Sequence, residues 1–211
     1  MYAVPLDGLP AQVNQFGCLY LHGFLSSPQS QKAQELSRYF EQHLDRHQLS
    51  IPTLPFAPAD AIFIANQALA TLQAQYAKVF IIGSSLGGFY ATWLAQQHHI
   101  PAVLVNPAVR PFELFEHYIG PHIHYYSGEE HLLTSEHLGQ LRELNVDTVM
   151  HPENLLLLLQ TGDETLNYRH AAQHYQDCPA WLEGGGNHSF ERFIERLPQI
   201  FHHVSRCLHP E

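Results

Sequence analysis

Charged residues are scarce in this sequence, and basic residues are the scarcest. Asp, Glu, Lys and Arg make up 14% of the 211 residues, against about 25% in an average globular protein. Ten Lys and Arg stand against 20 Asp and Glu, which gives a formal net charge of −10 at pH 7. Because no cluster of basic residues is present to neutralise a phosphate backbone, we expect no nucleic-acid partner.

Cysteines and long apolar runs are also few. The three cysteines (Cys18, Cys178 and Cys207) are odd in number and widely spaced, which suits a reducing compartment better than a disulfide framework. The longest aliphatic run, LLLLL at 155–159, is far shorter than the roughly 20 residues of a membrane span. The first residues, MYAVPLDGLPAQVNQF, have neither the basic start nor the apolar stretch of a signal peptide. We therefore expect a cytoplasmic protein without membrane association.

The 17 histidines raise the alternative of a metal site, but the usual ligand spacings are missing. The stretch 122–137 is rich in histidine without an HExxH motif, and no Cys and His residues follow the spacing of a structural zinc site. The pair Gly185-Gly186 belongs to neither a GxGxxG motif nor a P-loop. We expect scattered, solvated histidines, no metal and no cofactor.

Short apolar runs alternate with longer stretches of helical periodicity. The predicted strands are 18–23, 49–56, 78–85, 102–108, 155–164 and 180–186. The predicted helices are 27–44 (Ser27 as cap, Pro28 in the first turn), 59–77, 86–99, a helix that ends near 177, and 189–208, which Pro198 should kink or split. The strands are apolar on both faces, as in a parallel sheet covered by helices on both sides. We therefore predict a doubly wound, mostly parallel α/β fold, with residues 1–211 as one domain.

Residues 109–150 interrupt this alternation. We expect a helix from Pro111, an irregular aromatic loop and a helix from about Thr134. The segment follows one predicted strand and precedes the next, so it overhangs the end of the sheet, where loops carry specificity. It is therefore a candidate for a small cap. Five aromatic side chains in it either line an acyl pocket or pack between helices, and Arg110 is a candidate for binding an anionic end of a substrate; the five are Phe112, Phe115, Tyr118, Tyr125 and Tyr126.

Two adjacent serines occur in GSSLG, between a predicted strand and a predicted helix. In an open parallel sheet, ligands bind at the carboxyl ends of strands, and a nucleophile presented there lies on a sharp turn. Such a turn leaves no room for side chains two residues before and two after the nucleophile. Gly83 and Gly87 flank Ser85 in this way, whereas Ile82 and Leu86 flank Ser84. The spacing therefore favours Ser85 as the nucleophile.

A serine nucleophile needs a base, and the base needs an acid to orient it. In this kind of fold the acid precedes the histidine along the chain, and both follow the serine. Asp163 in LLLLLQTGDE and His188 in GGGNHSF each follow a predicted strand in that order. Asp163 taken alone is equally well explained as a helix cap. Other acids and histidines fit the strand ends less well; they are Asp147, Asp177, His151, His202 and His203.

The attacked carbonyl would become an oxyanion, which needs preorganised N–H donors. One donor is expected to be the N–H of Leu86, the residue after the nucleophile. The other is expected in LHGFLSSP, the loop after the first strand, where Gly23 lets the backbone turn close to the site. Within this loop the N–H of Phe24 is the first choice and that of Leu25 the alternative.

Five stretches together resemble the α/β-hydrolase superfamily, and more narrowly the small bacterial YqiA/YcfP-type esterases. They are YLHGFLSSPQS, IIGSSLGGFYATWLA, LVNPAVRP, LLLQTGDE and GGGNHSF, spread from about Cys18 to His203. The resemblance implies an α/β-hydrolase fold with a minimal cap and a serine esterase that needs no cofactor. It also implies Ser85 as nucleophile, Asp163 as acid and His188 as base. The chain departs from the pattern in a segment of about 15 residues before the first strand.

We expect a hydrolase of short carboxylic esters that binds a small-molecule acyl ester. Two alternatives stay open. One is an acyl thioesterase, and the other is a non-catalytic protein that uses the same fold to bind an acyl ligand or another protein. The sequence specifies neither the acyl-chain length nor the oligomeric state.

Overall fold

A computed structural model describes residues 15–208 of the chain. Two of the predictions concern residues that lie almost entirely outside this range. They are the absence of a signal peptide at the start of the chain and the segment of about 15 residues that departs from the family pattern. The strands, in chain order, are β1 (Phe16–Leu21), β2 (Leu49–Ser50), β3 (Lys78–Ser84), β4 (Ala102–Val105), β5 (Gly120–Ile123), β6 (Glu130–Leu133), β7 (Leu155–Gln160) and β8 (Ala180–Glu183). Six of them form one sheet in the order β2-β1-β3-β4-β7-β8, and every neighbouring pair is parallel. The predicted parallel α/β architecture is confirmed.

Helices cover both faces of this sheet. They are α1 (Gln31–His43), α2 (Pro58–Gln75), α3 (Leu86–His98), α4 (Pro111–Phe115), α5 (Ser135–Glu143), α6 (Tyr168–His174) and α7 (Leu197–Leu208). Alternate strand residues enter two separate cores: Leu19 and Ile81 pack with α2 and α3, whereas Tyr20 and Phe80 pack with α1 and α7. Each such aliphatic side chain contributes about 1.5–3 kcal/mol on burial. Two-sided burial explains why β1 and β7 read as continuous apolar runs.

The first predicted helix begins later than expected. α1 begins at Gln31 with Ser30 as its N-cap, so Ser27 and Pro28 precede it. The Ser27 hydroxyl oxygen accepts the N–H of Gln29 at 3.1 Å, which closes a local turn instead. Serine side chains favour such turns because they compete with the helix for backbone N–H groups.

The segments rich in proline and polar residues also differ from the expectations. The strand predicted at 49–56 has only two residues, because the prolines that follow cannot donate to a sheet. Pro198 lies in the first turn of α7, where a missing N–H costs nothing, and a short 3-10 helix (Phe193–Arg196) precedes it. The loop expected in 109–150 contains an antiparallel hairpin, β5–β6, between α4 and α5. None of the helices within residues 15–208 combines the length and hydropathy of a membrane span.

Candidate active site

Ser85 lies at the tight turn between β3 and α3. Its backbone angles are φ 56° and ψ −121°, an unusual conformation for a residue with a side chain. A Cβ atom at Gly83 would overlap the backbone of Gly87, and one at Gly87 would overlap the carbonyl of Leu21. The turn therefore requires glycine at both predicted positions, and it projects Ser85 beyond the carboxyl edge of the sheet.

Ser84 points to a different environment. It is the last residue of β3, it is 5% exposed, and its hydroxyl hydrogen-bonds with the buried Tyr20. Ser85 instead directs its hydroxyl at an imidazole. The two neighbouring serines thus form a natural pair for comparison, because only one of them contacts a basic side chain.

His188 connects Ser85 with Asp163. Its Nε2 lies 3.0 Å from Ser85 Oγ, and its Nδ1 lies 2.8 Å from Asp163 Oδ2. The other Asp163 oxygen, Oδ1, accepts the N–H groups of Thr165 and Leu166 at 2.8 and 2.7 Å. Oδ2 is therefore left to hold Nδ1–H, so that Nε2 presents its lone pair to the Ser85 hydroxyl. The structure brings the three predicted residues together.

The rival residues contact other groups. Asp147 accepts a hydrogen bond from Asn145 at 2.7 Å, and His151 lies 3.4 Å from Glu153. His203 is buried within α7. The alternative explanation of Asp163 as a helix cap is partly realised, since it accepts two backbone N–H groups, but α6 itself begins later with Asn167 as its cap. One carboxylate can thus hold its own loop and His188 at the same time.

Two buried amides, which the sequence analysis did not identify, hold the His188 loop. Asn106 follows β4, and its Nδ2 donates to the carbonyls of Asn187 and His188 at 3.1 and 3.2 Å. Gln160 ends β7, and its Oε1 accepts the N–H groups of Asn187 and Glu191 at 3.1 and 2.9 Å. The two are linked, because Asn106 Oδ1 accepts the N–H of Gln160 at 3.0 Å. A polar residue at the end of each apolar strand is the sequence signal that marks them.

The loop after β1 lies against Ser85. A Cβ atom on Gly23 would be 3.2 Å from Ser85 Cβ. The Gly23 carbonyl accepts the N–H of Ser26 at 3.3 Å and Nδ1–H of His22 at 3.0 Å. A trans peptide directs its N–H opposite to its carbonyl, so the N–H of Phe24 points away from these two donors. Leu86 is the first residue of α3, and its N–H has no partner within the helix.

The buried His22 fixes the shape of this loop. Its Nε2 accepts the N–H of Leu54 at 3.1 Å, which requires the tautomer with hydrogen on Nδ1. Burial lowers the pKa of His22 below its usual value, and the neutral imidazole that results can accept and donate at once. The hairpin adds a second support, since the N–H of Tyr125 donates to the Leu25 carbonyl at 3.3 Å.

A cavity of about 440 Å³ opens beside Ser85 and His188. Both apolar and polar side chains line it. Of the predicted aromatic residues, Phe115, Tyr125 and Tyr126 reach the cavity, whereas Phe112 is buried elsewhere and Tyr118 is exposed. Arg110 lies outside the lining and forms an ion pair with Glu113 at 2.8 Å. The cavity is also lined by three polar residues at the start of α1, Ser30, Gln31 and Lys32.

The histidines between residues 15 and 208 form no cluster suited to a metal ion. Within residues 15–208, no three His, Cys, Asp or Glu side chains converge in a way that would hold a metal ion. In the stretch 122–137, His131 stacks on Phe56 with 4.7 Å between the ring centroids. The nearby His124 donates from Nε2 to the Ser26 carbonyl at 2.9 Å. These histidines contribute contacts between the hairpin and its surroundings.

Comparison with known proteins agrees with this architecture. The model of the family described as Uncharacterised protein family (UPF0227) matches residues 17–205. Est1E from Butyrivibrio proteoclasticus is 12% identical, with a TM-score of 0.68, covering 95% of this chain and 92% of that one. Alpha/beta hydrolase domain-containing protein 10 from mouse is 13% identical, with a TM-score of 0.66, covering 92% and 90%. An esterase domain from a Rhodothermus marinus protein is 18% identical, with a TM-score of 0.61, covering 95% and 90%. The predicted α/β-hydrolase fold is confirmed.

Proposed function

The chain belongs to the protein family UPF0227 and has the α/β-hydrolase fold, and from this we propose that it is a serine esterase acting on carboxylic esters. The observation that carries the proposal is the double contact of His188, with Ser85 on one ring nitrogen and Asp163 on the other. An imidazole held in this way serves as a base toward serine and then as an acid toward a leaving group.

In the proposed reaction, Ser85 Oγ attacks the acyl carbonyl while His188 Nε2 takes the hydroxyl proton. Asp163 stabilises the imidazolium that forms. The N–H groups of Leu86 and Phe24 donate to the oxyanion of the tetrahedral intermediate. The intermediate collapses to an acyl-serine, and His188 passes its proton to the departing alcohol. Water then attacks the acyl-serine with His188 again as base, which releases the carboxylic acid and restores Ser85.

The lining of the cavity supports the proposal of an acyl substrate. Leu86, Leu114 and Phe115 form an apolar part of its wall next to Ser85, and apolar walls with a few polar groups are typical of small-molecule sites. The esterase domain from the Rhodothermus marinus protein has a similar fold, which supports the proposed activity. The proposal includes residues 109–150 as a small cap, since Leu114 and Tyr125 belong to that segment.

The test is hydrolysis of p-nitrophenyl acetate, butyrate and octanoate by the wild type, Ser85→Ala and Ser84→Ala. We expect Ser85→Ala to lose on the order of 10⁶ in kcat, because the three residues act as a unit. Ser84→Ala removes a neighbouring hydroxyl that does not contact His188, so its activity should stay within a few fold of the wild type. Comparable losses in both variants would contradict the assignment of Ser85.

Two further measurements separate the alternatives. Matched oxyester and thioester substrates distinguish an esterase from an acyl thioesterase by their kcat/KM values. A fluorophosphonate probe should label the wild type and leave Ser85→Ala unlabelled. A wild type that hydrolyses none of the esters and resists the probe would instead indicate a binding protein with this fold.

A further inference from the structure

Besides His188, one basic or acidic residue lines the described part of the cavity next to Ser85. Lys32, in the first turn of α1, is the one Lys, Arg, Asp or Glu among the described residues that line it. Its Nζ donates to the carbonyl of Ser189, the residue after His188, at 2.6 Å. The ammonium group is therefore held next to the loop that carries the proposed base. This cation is opposite in sign to the formal net charge of the chain, which is −10.

No carboxylate neutralises Lys32 at close range. Among residues 15–208, no Asp or Glu oxygen lies within 4.0 Å of its Nζ. Two carboxylates lie farther away, and each is engaged: Glu35 accepts a hydrogen bond from Gln31 at 2.9 Å, and Asp163 holds His188 and its own loop. The ammonium group thus keeps donor capacity that a single carbonyl does not use.

The protein surroundings disfavour this charge. Burial lowers the pKa of Lys32 from 10.5 to about 8, and the distant Glu35 and Asp163 offset this only in part. Lys32 is half-buried, and an ammonium that has lost part of its hydration is stabilised when a counter-charge replaces the lost water. An anionic group in the cavity would supply that counter-charge and the missing hydrogen-bond acceptor together. The arrangement is therefore better matched to a substrate with a negative charge than to a neutral one.

We propose that Lys32 is a specificity-determining residue that binds an anionic group of the substrate, a carboxylate or a phosphate, on the acyl or the alcohol part of the ester. The inference rests on the proposed esterase function. It moves the role considered for Arg110 to Lys32, since Arg110 is paired with Glu113 and lies outside the cavity lining. The competing explanation is that Lys32 only fastens the His188 loop through Ser189.

The experiment compares matched esters that differ by one negative charge. In the acyl arm, 4-nitrophenyl hemisuccinate is paired with 4-nitrophenyl methyl succinate. In the alcohol arm, carboxymethyl butyrate is paired with its methyl ester, and the methyl phosphodiester of 2-hydroxyethyl butyrate is paired with the neutral dimethyl phosphotriester. The measured quantity is the ratio of kcat/KM for the anionic ester to kcat/KM for its neutral partner. The proteins are the wild type, Lys32→Met, Lys32→Arg and Lys78→Met.

We expect the wild type to favour the anionic ester at least about tenfold in one of the arms, as for a hydrogen bond to a charged group. Lys32→Met should abolish this preference, and Lys32→Arg should retain most of it. Lys78 lies at the amino-terminal end of β3, whereas Ser85 follows its carboxyl end. Lys78 Nζ donates to the Leu208 carbonyl. Lys78→Met should therefore leave the ratio of kcat/KM values unchanged. The arm that shows the preference identifies the part of the ester that carries the charge.

A ratio near 1 in every arm would overturn the proposal. So would a Lys32→Met variant that slows the anionic and neutral esters equally, because a fastening of the loop acts on both alike. Failure of the esterase function has a different signature: no ester is hydrolysed in a manner that depends on Ser85. That result would overturn both proposals together.

Discussion

At the scale of single residues, the position of His188 depends on side chains distant in sequence. We predict that Asn106→Asp lowers kcat at least tenfold with little change in KM. The carboxylate keeps the acceptor for the Gln160 N–H but loses the two hydrogen bonds to the His188 loop. Steady-state kinetics with p-nitrophenyl butyrate measure the effect. Asn145→Asp, which changes a half-buried amide in a loop away from His188, is the control.

Circular dichroism and thermal unfolding show whether Asn106→Asp folds, and the pH profile of kcat/KM separates positioning from a general loss of structure. A misplaced imidazole shifts or flattens that profile. A smaller folded fraction instead lowers kcat/KM by the same factor at every pH. An Asn106→Asp variant with unchanged kcat would show that the loop does not need the buried amide.

Lys32 provides a pH prediction at the same scale. We expect the preference for an anionic ester to decline as the pH rises through about 8, because the ammonium, with its lowered pKa, then loses its proton. The ratio of kcat/KM for charged and neutral esters cancels any pH dependence that the two esters share. Lys32→Arg should keep its preference to higher pH, since guanidinium stays protonated. A ratio that is constant between pH 6 and 10 in the wild type would contradict this prediction.

Several other titratable groups adjoin Lys32 and its part of the cavity. They are Glu35 on α1, Tyr20 on β1, Tyr125 and Tyr126 after the first strand of the hairpin, Asp163 and Glu164 after β7, and His188. Burial raises the pKa of Tyr20 well above its usual value, so it stays neutral throughout this range. Lys32 is thus the group whose charge distinguishes the two esters near pH 8.

At the scale of elements, the junction of β3 with α3 tolerates no added atom. We predict that Gly87→Ala destabilises the protein by several kcal/mol or prevents folding, since its Cβ would overlap the Leu21 carbonyl of the adjacent strand. Gly139→Ala in α5 is the matched control, because no atom lies within 4 Å of the added methyl group. That variant should gain up to about 1 kcal/mol from helix propensity.

Chemical denaturation of both variants measures this contrast. The same substitution, Gly to Ala, is expected to lower the free energy of unfolding at position 87 and to raise it at position 139. The difference arises because α3 begins against the backbone of β1, whereas α5 presents Gly139 to open space. Equal stability of the two variants would show that the turn adapts to a side chain at position 87.

At the scale of the whole molecule, three histidines link folding to pH. Burial lowers the pKa of His22, His174 and His203 below the value of 6.5. As the pH falls through 6.5, the unfolded chain takes up protons that the folded chain resists. The contribution of these histidines to the free energy of unfolding should therefore be complete above about pH 7 and decline as the pH falls below 6.5. Each histidine contributes at most about 1.4 kcal/mol per pH unit.

Urea unfolding at pH 8, 6.5 and 5.5 measures this decline. His203→Gln removes one of the three groups and should reduce the slope of stability against pH. His117→Gln changes an exposed histidine and should leave the slope unchanged. Identical slopes for His203→Gln and the wild type would show that His203 does not take part in the linkage.

The sequence predicted the parts of the fold and site that depend on local rules. Continuous apolar runs indicated buried parallel strands, and the two glycines selected Ser85 over Ser84. Asp163 and His188 were identifiable because each follows a strand whose carboxyl end reaches the same edge of the sheet. Their proximity is observed, and their catalytic roles remain a proposal. The hairpin in 109–150 was missed, because its strands are half exposed and carry no continuous apolar run.

What the sequence determined by itself is the order along the chain of the strands of the large sheet and of the helices between them, the turn that presents Ser85, and the chain order of serine, acid and histidine. These follow from side-chain volume, hydrophobic periodicity and backbone sterics, which act over a few neighbouring residues. Only the tertiary structure decided that Asn106 supports His188, 82 residues away, and that Lys32 bonds to Ser189 across 157 residues. Such pairs arise from the register of strands and the packing of helices. No local pattern encodes them, because each partner alone is compatible with many surroundings.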